Sequence, residues 1–364
     1  MQKAYHARGL RFLSQAAFII TVGLITAIAS YQATATDVFT DPVGFITVTA
    51  EGTSGHAGSS ALSFWGLGMA QLPVVKGIIN SVSGQQLTDL AGNWANNQYN
   101  GANGAYEIEI TSGPSAGLVD SISNSAAPGT IYTSFNDSSM ISSGQTYLIR
   151  PSWTLNALFG SADSAGLFGS SGPTLADNIN VWNPAVQGSV TYYYKTNSNQ
   201  GGSGWRTAAN NSVNVGTNAL FIDQGLTILR RVSNSTNVLL VGAVKLGQTL
   251  SPIVGSGLTF AGNPYPASFT LGGSGLYTTN DATGLHGASG PTIADNVNIW
   301  NPAVQGSVTY YFKTNSNQGG SGWRTAANNS VDVSSSNINL GTMIIIQRRV
   351  ATPFNWFMQQ PFVE

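Results

Sequence analysis

Ser171 to Val213 reads SGPTLADNINVWNPAVQGSVTYYYKTNSNQGGSGWRTAANNSV, and Ser289 to Val331 repeats it 118 residues later. Of the 43 positions 39 are identical, the exchanges being Leu175/Ile293, Ile179/Val297, Val181/Ile299 and Tyr194/Phe312. Each swaps one large apolar or aromatic residue for a similar one, which packed interiors tolerate. Asn178 to Trp182 and Ser189 to Lys195 are rich in Val, Ile, Thr and Tyr, and Gly204 to Thr207 begins a return strand. The block therefore spells strands joined by turns. Downstream, 214–229 against 332–347 keeps only Val215/Val333 and Ile228/Ile346, before Arg230-Arg231-Val232 matches Arg348-Arg349-Val350. Loops ordinarily drift more than the elements they connect. Here the turn-like run Thr196 to Gly204 is repeated letter for letter at 314–322 while apolar positions change. Two readings stay open: recent duplication of a short tract, or an exposed loop face needed twice.

The rest of the chain extends the pattern. Gly44 to Ala50 and Tyr106 to Thr111 alternate cleanly, the second placing Glu107 and Glu109 toward water. Gly77 to Leu90 reads as a hairpin about Ser83-Gly84, and Leu226 to Val232 and Asn237 to Val244 add strands. Ser59 to Ala70 is read as an irregular loop because of its glycines. Met343 to Ile346 is strand-like, and the aromatic tail Pro353 to Met358 needs a cover. With 43 glycines and 14 prolines supplying turns, the expectation is an all-β chain of two or three sandwich- or barrel-like domains. The expected boundaries are a leader over 1–35, a β domain over 36–150, and the repeats over 151–265 and 266–364.

Composition narrows the function classes. Only 8% of the 364 residues are charged, against roughly 25% in an average soluble protein. Lys3, Arg8 and Arg11, the apolar run Ala16 to Ala29 and the small-residue site Ala33-Thr34-Ala35 predict a cleaved export signal. After its removal eleven basic residues face fifteen acidic ones, a net charge of −4. That balance speaks against nucleic acid and anionic membranes as partners, and no membrane span is expected after cleavage. There is no cysteine, so packing and backbone pairing must hold an exported chain together.

No catalytic, metal or cofactor site is predicted. Only His56 and His286 follow the leader, without a Gly-x-Ser-x-Gly elbow beside either. Asp163/Asp281 and Asp177/Asp295 recur with the repeat and read as turn caps, since one carboxylate per loop falls short of a calcium site. Lys195/Lys313, Arg206/Arg324 and the pairs Arg230-Arg231/Arg348-Arg349 recur with the repeat. The arginine beside Trp205 or Trp323 is expected to stack on an aromatic or to bond several carbonyls, and the alternative for these cations is an intersubunit contact. Adjacent arginines on a strand point to opposite faces. Tyr192, Tyr194, Trp205 and Arg206, with Tyr310, Phe312, Trp323 and Arg324, form the candidate assembly or ligand face.

Thr36-Asp37 with Thr40 to Phe45, Thr111-Ser112-Gly113 with Ala116-Gly117-Leu118, and Arg150 to Leu155 resemble a family of secreted hypothetical proteins of verrucomicrobia-like bacteria. The doubled series Asp177, Tyr192, Trp205, Arg230 and Asp295, Tyr310, Trp323, Arg348 completes the likeness. The resemblance implies export and a β-rich fold, with no reaction and no catalytic residue to carry over.

The leading expectation is a secreted, non-enzymatic structural protein that assembles with copies of itself into an extracellular filament or surface layer. Phe39 to Ala50, with Phe45, Ile46 and Val48, is the candidate strand to be donated to a neighbour's sheet. The alternative is a surface adhesin binding extracellular glycans through the repeated Tyr, Trp and Asn faces.

Overall fold

Alternating β-branched and aromatic residues dictate strands nearly everywhere, and a computed structural model of the chain is all-β. It describes residues 41–100, 105–134, 139–317 and 319–362. The predicted leader, and Phe39 of the proposed donor strand, lie outside the described residues. Among the described residues one short helix, Leu155–Phe159, interrupts the strands; Thr154 caps it by accepting from the Ala157 amide at 3.1 Å.

The repeat builds two five-stranded antiparallel sheets of identical order. The first runs Gly204–Thr207, Gly188–Lys195, Asn178–Asn183, Gly225–Arg230, Ala61–Gly66; the second runs Gly322–Thr325, Gly306–Lys313, Asn296–Asn301, Met343–Arg348, Gly257–Gly262. Each has a two-stranded ribbon beside it, Val43–Ala50 with Thr236–Ala243 in one case and Thr249–Ile253 with Phe354–Met358 in the other. The duplication thus extends well beyond the identical block. A seven-stranded sheet built from Val75–Ile78 to Thr146–Pro151 is inserted in the first copy.

Within the compact unit Pro42–Glu364, those pairings group strands across the expected boundaries at 150 and 265. The first repeat takes 42–72 together with 151–245, and the second takes 246–362. Ala61–Gly66, read as loop, is a strand whose counterpart is Gly257–Gly262: Leu62, Phe64 and Gly66 match Leu258, Phe260 and Gly262. The insertion moves this match to an offset of 196, where an ungapped comparison at 118 does not see it.

Three apolar clusters follow the three sheets. Trp65, Ile179, Trp205, Leu226 and Ile228 lie in the first, Val297, Trp323, Ile344, Ile346 and Trp356 in the second, and Ile108, Ile110, Tyr147 and Ile149 in the inserted sheet. The aromatic tail has the cover it needs: Phe354, Trp356 and Met358 are buried, and the Trp356 indole donates to the Ser274 carbonyl at 2.7 Å.

The candidate donor strand is also corrected. Val43–Ala50 pairs over its whole length with Thr236–Ala243 of its own chain. Ile46 and Val48 point into the first core, while Phe45 faces outward. Glu107 and Glu109 do not reach water either. Both are buried on Tyr106–Ile110, an interior strand of the inserted sheet, where Glu109 pairs with Arg150 and Lys245 and Glu107 lies 3.3 Å from Arg150. A charge on alternate positions predicts exposure only when nothing covers that face, and here two cations do.

Candidate functional site

The residues expected to form an exposed face are turned inward. Tyr192, Trp205 and Trp323 are buried in the two repeat cores, and Tyr194, Tyr310 and Phe312 are half-buried against them. Trp205 meets Tyr194 edge-on at 5.3 Å and donates its indole N–H to the Gly160 carbonyl at 2.9 Å. A sugar-stacking platform needs open rings, so Trp205 and Trp323 are not available for one.

The opposite side of the same strands carries Tyr193, Lys195 and Arg206, also buried, and this explains the repeated loop. The Lys195 ammonium donates to the carbonyls of Asn199, Gln200 and Asn211. Arg206 donates to Gly201 at 2.6 Å, Gly202 at 2.9 Å, Asn211 at 3.1 Å and Trp205 at 2.8 Å. Arg324 makes the matching bonds to Gly319, Gly320, Asn329 and Trp323, and Lys313 those to Asn317 and Asn329. Two buried cations per repeat are thus solvated by backbone oxygens of the loop. Those carbonyls converge only along one backbone path. At Gly201 and Gly319 the path needs φ of 86° and 88°, and a Cβ would land 2.1 Å from the Ser212 or Ser330 oxygen. The loop sequence is fixed from beneath, by the charges it wraps. The arginines bond carbonyls, as one of the two expected roles had it.

The paired arginines divide as strand geometry requires. Arg230 and Arg348 are buried on Asp177 and Asp295 at 3.1 and 2.7 Å, and Arg231 and Arg349 point the other way onto the Ala176 and Ala294 carbonyls. Asp177 also accepts from the amides of Phe168 and Arg231, and Asp295 from those of His286 and Arg349, so each carboxylate ties a loop to a strand end.

A second set of repeated contacts was not singled out in the sequence. The Trp182 ring stacks on Phe260 at 4.7 Å, and Trp300 stacks on Phe64 at 4.6 Å. Trp182 donates to the Leu258 carbonyl at 2.9 Å, and Trp300 to that of Leu62 at 3.1 Å. Gln187 donates to the Leu258 carbonyl at 3.1 Å and accepts from the Leu258 amide at 2.7 Å; Gln305 does the same with Leu62 at 3.1 and 2.6 Å. Each repeat's strand turn therefore clasps the edge strand of the other, its glutamine amide standing in for a further strand. The contact is isologous within one chain. Near its axis the backbones of Gly66 and Gly262 lie so close that a Cβ on Gly262 would meet the Gly66 Cα at 3.1 Å. The signal was present: Trp182 and Gln187 sit in the identical block, and both sheet edges carry Leu-x-Phe-x-Gly.

With the charges drawn inward, the surface is left nearly without cations. Of the eleven Lys and Arg from residue 36 onward, eight are buried, and only Lys76, Arg231 and Arg349 reach solvent. The ribbon of Val43–Ala50 and Thr236–Ala243 turns Val43, Phe45, Leu239 and Val241 outward at 66, 69, 58 and 58% exposure. Thr47, Thr49 and Asn237 complete that face, which holds no charge.

Two titratable clusters remain. Burial pushes Glu107 up to about 7 and Lys245 down to about 7, and raises Asp223 beside them. His286 Nδ1 lies 3.0 Å from Asp281 at the rim of an open hollow lined by Tyr277, Asn280 and Thr314. Among the described residues no three His, Asp or Glu side chains converge to hold a metal ion, and no helix is long and apolar enough to cross a membrane.

Compared with known proteins, the chain matches no family model, no curated protein and no solved structure.

Proposed function

We propose that this chain is an exported, non-enzymatic structural subunit that associates with copies of itself into an extracellular filament or layer. The observation that carries the reading is the withdrawal of charge: eight of eleven cations are buried, and the outward ribbon face of Val43, Phe45, Leu239 and Val241 has none. Solvated charge keeps folded chains apart, and lysines on exposed strands are a common guard against pairing. A contiguous uncharged apolar face marks a contact surface, and this one suits a second copy because either partner brings the same unguarded face. Since Val43–Ala50 is already paired within its own chain, the contact envisaged is face to face, without donation of that strand.

Sedimentation velocity over a concentration series tests the reading. The purified protein is expected to form large species as concentration rises. Phe45→Glu with Val241→Thr, both exposed and without a like-charge pair across the ribbon, is expected to abolish the large species with little effect on the melting temperature. A parent that stays monomeric throughout overturns the function, and a double variant that assembles like the parent overturns the face.

A further inference from the structure

The two clasps link halves of the chain that are covalently joined only once. Everything through Thr236–Ala243 belongs to the first repeat or its insertion, everything from Thr249–Ile253 onward belongs to the second, and Val244 to Gln248 is the single crossing. That crossing contains Gly247 at φ 70°, and its neighbours are fastened to the inserted sheet: Lys245 pairs with Glu109, and Gln248 donates to the Ala116 carbonyl at 2.7 Å. Gly247 itself is held by the second repeat, its amide donating to Gln360 and its carbonyl accepting from the Tyr265 hydroxyl at 2.9 Å. The crossing is thus tied on both sides, and opening turns on Gly247.

We infer that copies of this chain exchange repeats, the second repeat of one molecule clasping the first repeat of another. The inference rests on the self-association reading and adds to its face-to-face contact, which by itself closes a pair, the head-to-tail contact that a longer assembly needs. An opened molecule exposes Trp182 and Gln187 with the Ala61–Gly66 edge on one half, and Trp300 and Gln305 with the Gly257–Gly262 edge on the other. Every contact broken on opening is remade in trans by the same atoms, so exchange is neutral apart from the entropy of association and the hinge. Because Leu62 and Phe64 correspond to Leu258 and Phe260, each edge presents the same chemistry to an incoming turn. A molecule passing one half to each neighbour propagates an open-ended chain, and reciprocal passing closes a dimer.

The absence of cysteine makes the test clean. Leu258 and Gln187 touch, so Gln187→Cys and Leu258→Cys place one thiol on each side of a clasp in separate molecules. The two variants are unfolded together, refolded at high concentration and treated with a short bis-maleimide. A cross-linked species of twice the chain mass is expected from the co-refolded mixture, and its loss is expected when each variant is refolded alone. The control is a single chain carrying both thiols, refolded at high dilution, which must cross-link within itself. If that control reacts and the mixture yields only monomer-mass chains, the exchange is refuted. Assembly by sedimentation without this cross-link also refutes it, yet leaves the structural function standing. Cross-linked dimers with no larger species establish exchange and remove the filament.

Discussion

The two repeats bury the same pair of cations under the same loop, but they differ in one neighbour. Arg206 is solvated by carbonyls alone, whereas Arg324 also reaches the Asp332 carboxylate at 2.8 Å. The residue in the place of Asp332 is Asn214. Both cap the turn that follows, Asn214 through the Gly216 amide and Asp332 through that of Ser334, each at 2.9 Å. The Asp332 side chain is 51% exposed, so this position changed charge without disturbing what lies beneath. The carbonyl-bearing loop did not change at all. Sequence identity thus tracks the backbone solvation of a buried charge, and the acid is an addition at the rim.

The largest effect is expected from removing the cations themselves. Arg206→Met or Arg324→Met orphans several buried carbonyls at once, each costing about 1–3 kcal/mol. Chemical denaturation should show a loss on the order of 3 kcal/mol or more, of similar size in the two repeats, because the carbonyl set is shared. A loss confined to Arg324→Met would mean that the ion pair with Asp332 carries the site.

Next come the clasp glycines, which separate the two halves of the axis. A Cβ on Gly66 would sit 2.3 Å from the Thr342 oxygen and 2.6 Å from the Asn263 nitrogen, while on Gly262 its nearest atom is the Gln224 oxygen at 2.6 Å. Both alanine variants should lose about 1–3 kcal/mol, with Gly66→Ala the worse. Thermal melts that rank them the other way break the proposed asymmetry.

A smaller effect is expected from pH. Burial raises Glu107 and Asp163 to about 7, and the Asp163 position is held in the second repeat by Asp281, half-exposed beside His286. A carboxyl whose pKa is raised by folding contributes stability that is full below its unfolded value and lost as pH rises through the folded one. The melting temperature should therefore fall between about pH 5 and pH 7, and less steeply in Glu107→Gln and Asp163→Asn. Lys245, lowered to about 7 by burial, acts in the opposite sense above that pH. A melting temperature flat across the window contradicts this.

The smallest effect is expected from Asp332→Asn, which makes the second repeat resemble the first. Hydrogen bonds, first that from Ser334, hold its carboxyl below the usual range, yet exposure limits the ion pair to under about 1 kcal/mol. A denaturation midpoint shifted by more than that would make the rim acid part of the foundation.

The strand alternation made the all-β class legible, and the repeat could be read to the residue. What stayed hidden has physical causes. Period-two alternation says that Tyr193 and Tyr194 point apart, but it cannot say that both sides are covered, one by the core and one by a loop folded over Lys195 and Arg206. Glu107 and Glu109 looked solvated because their cations, Arg150 and Lys245, lie far along the chain. The strand Ala61–Gly66 was masked by glycines that turned out to be required for close approach of the two halves, and its repeat was displaced by the insertion. The arginine pairs were legible because opposite faces follow from strand geometry alone.

Electron microscopy of the purified protein, negatively stained after concentration, tests the central claim most directly. Ordered fibres or sheets, lost on introducing Phe45→Glu and Val241→Thr, are the predicted result. A field of single dispersed particles at every concentration would contradict the account.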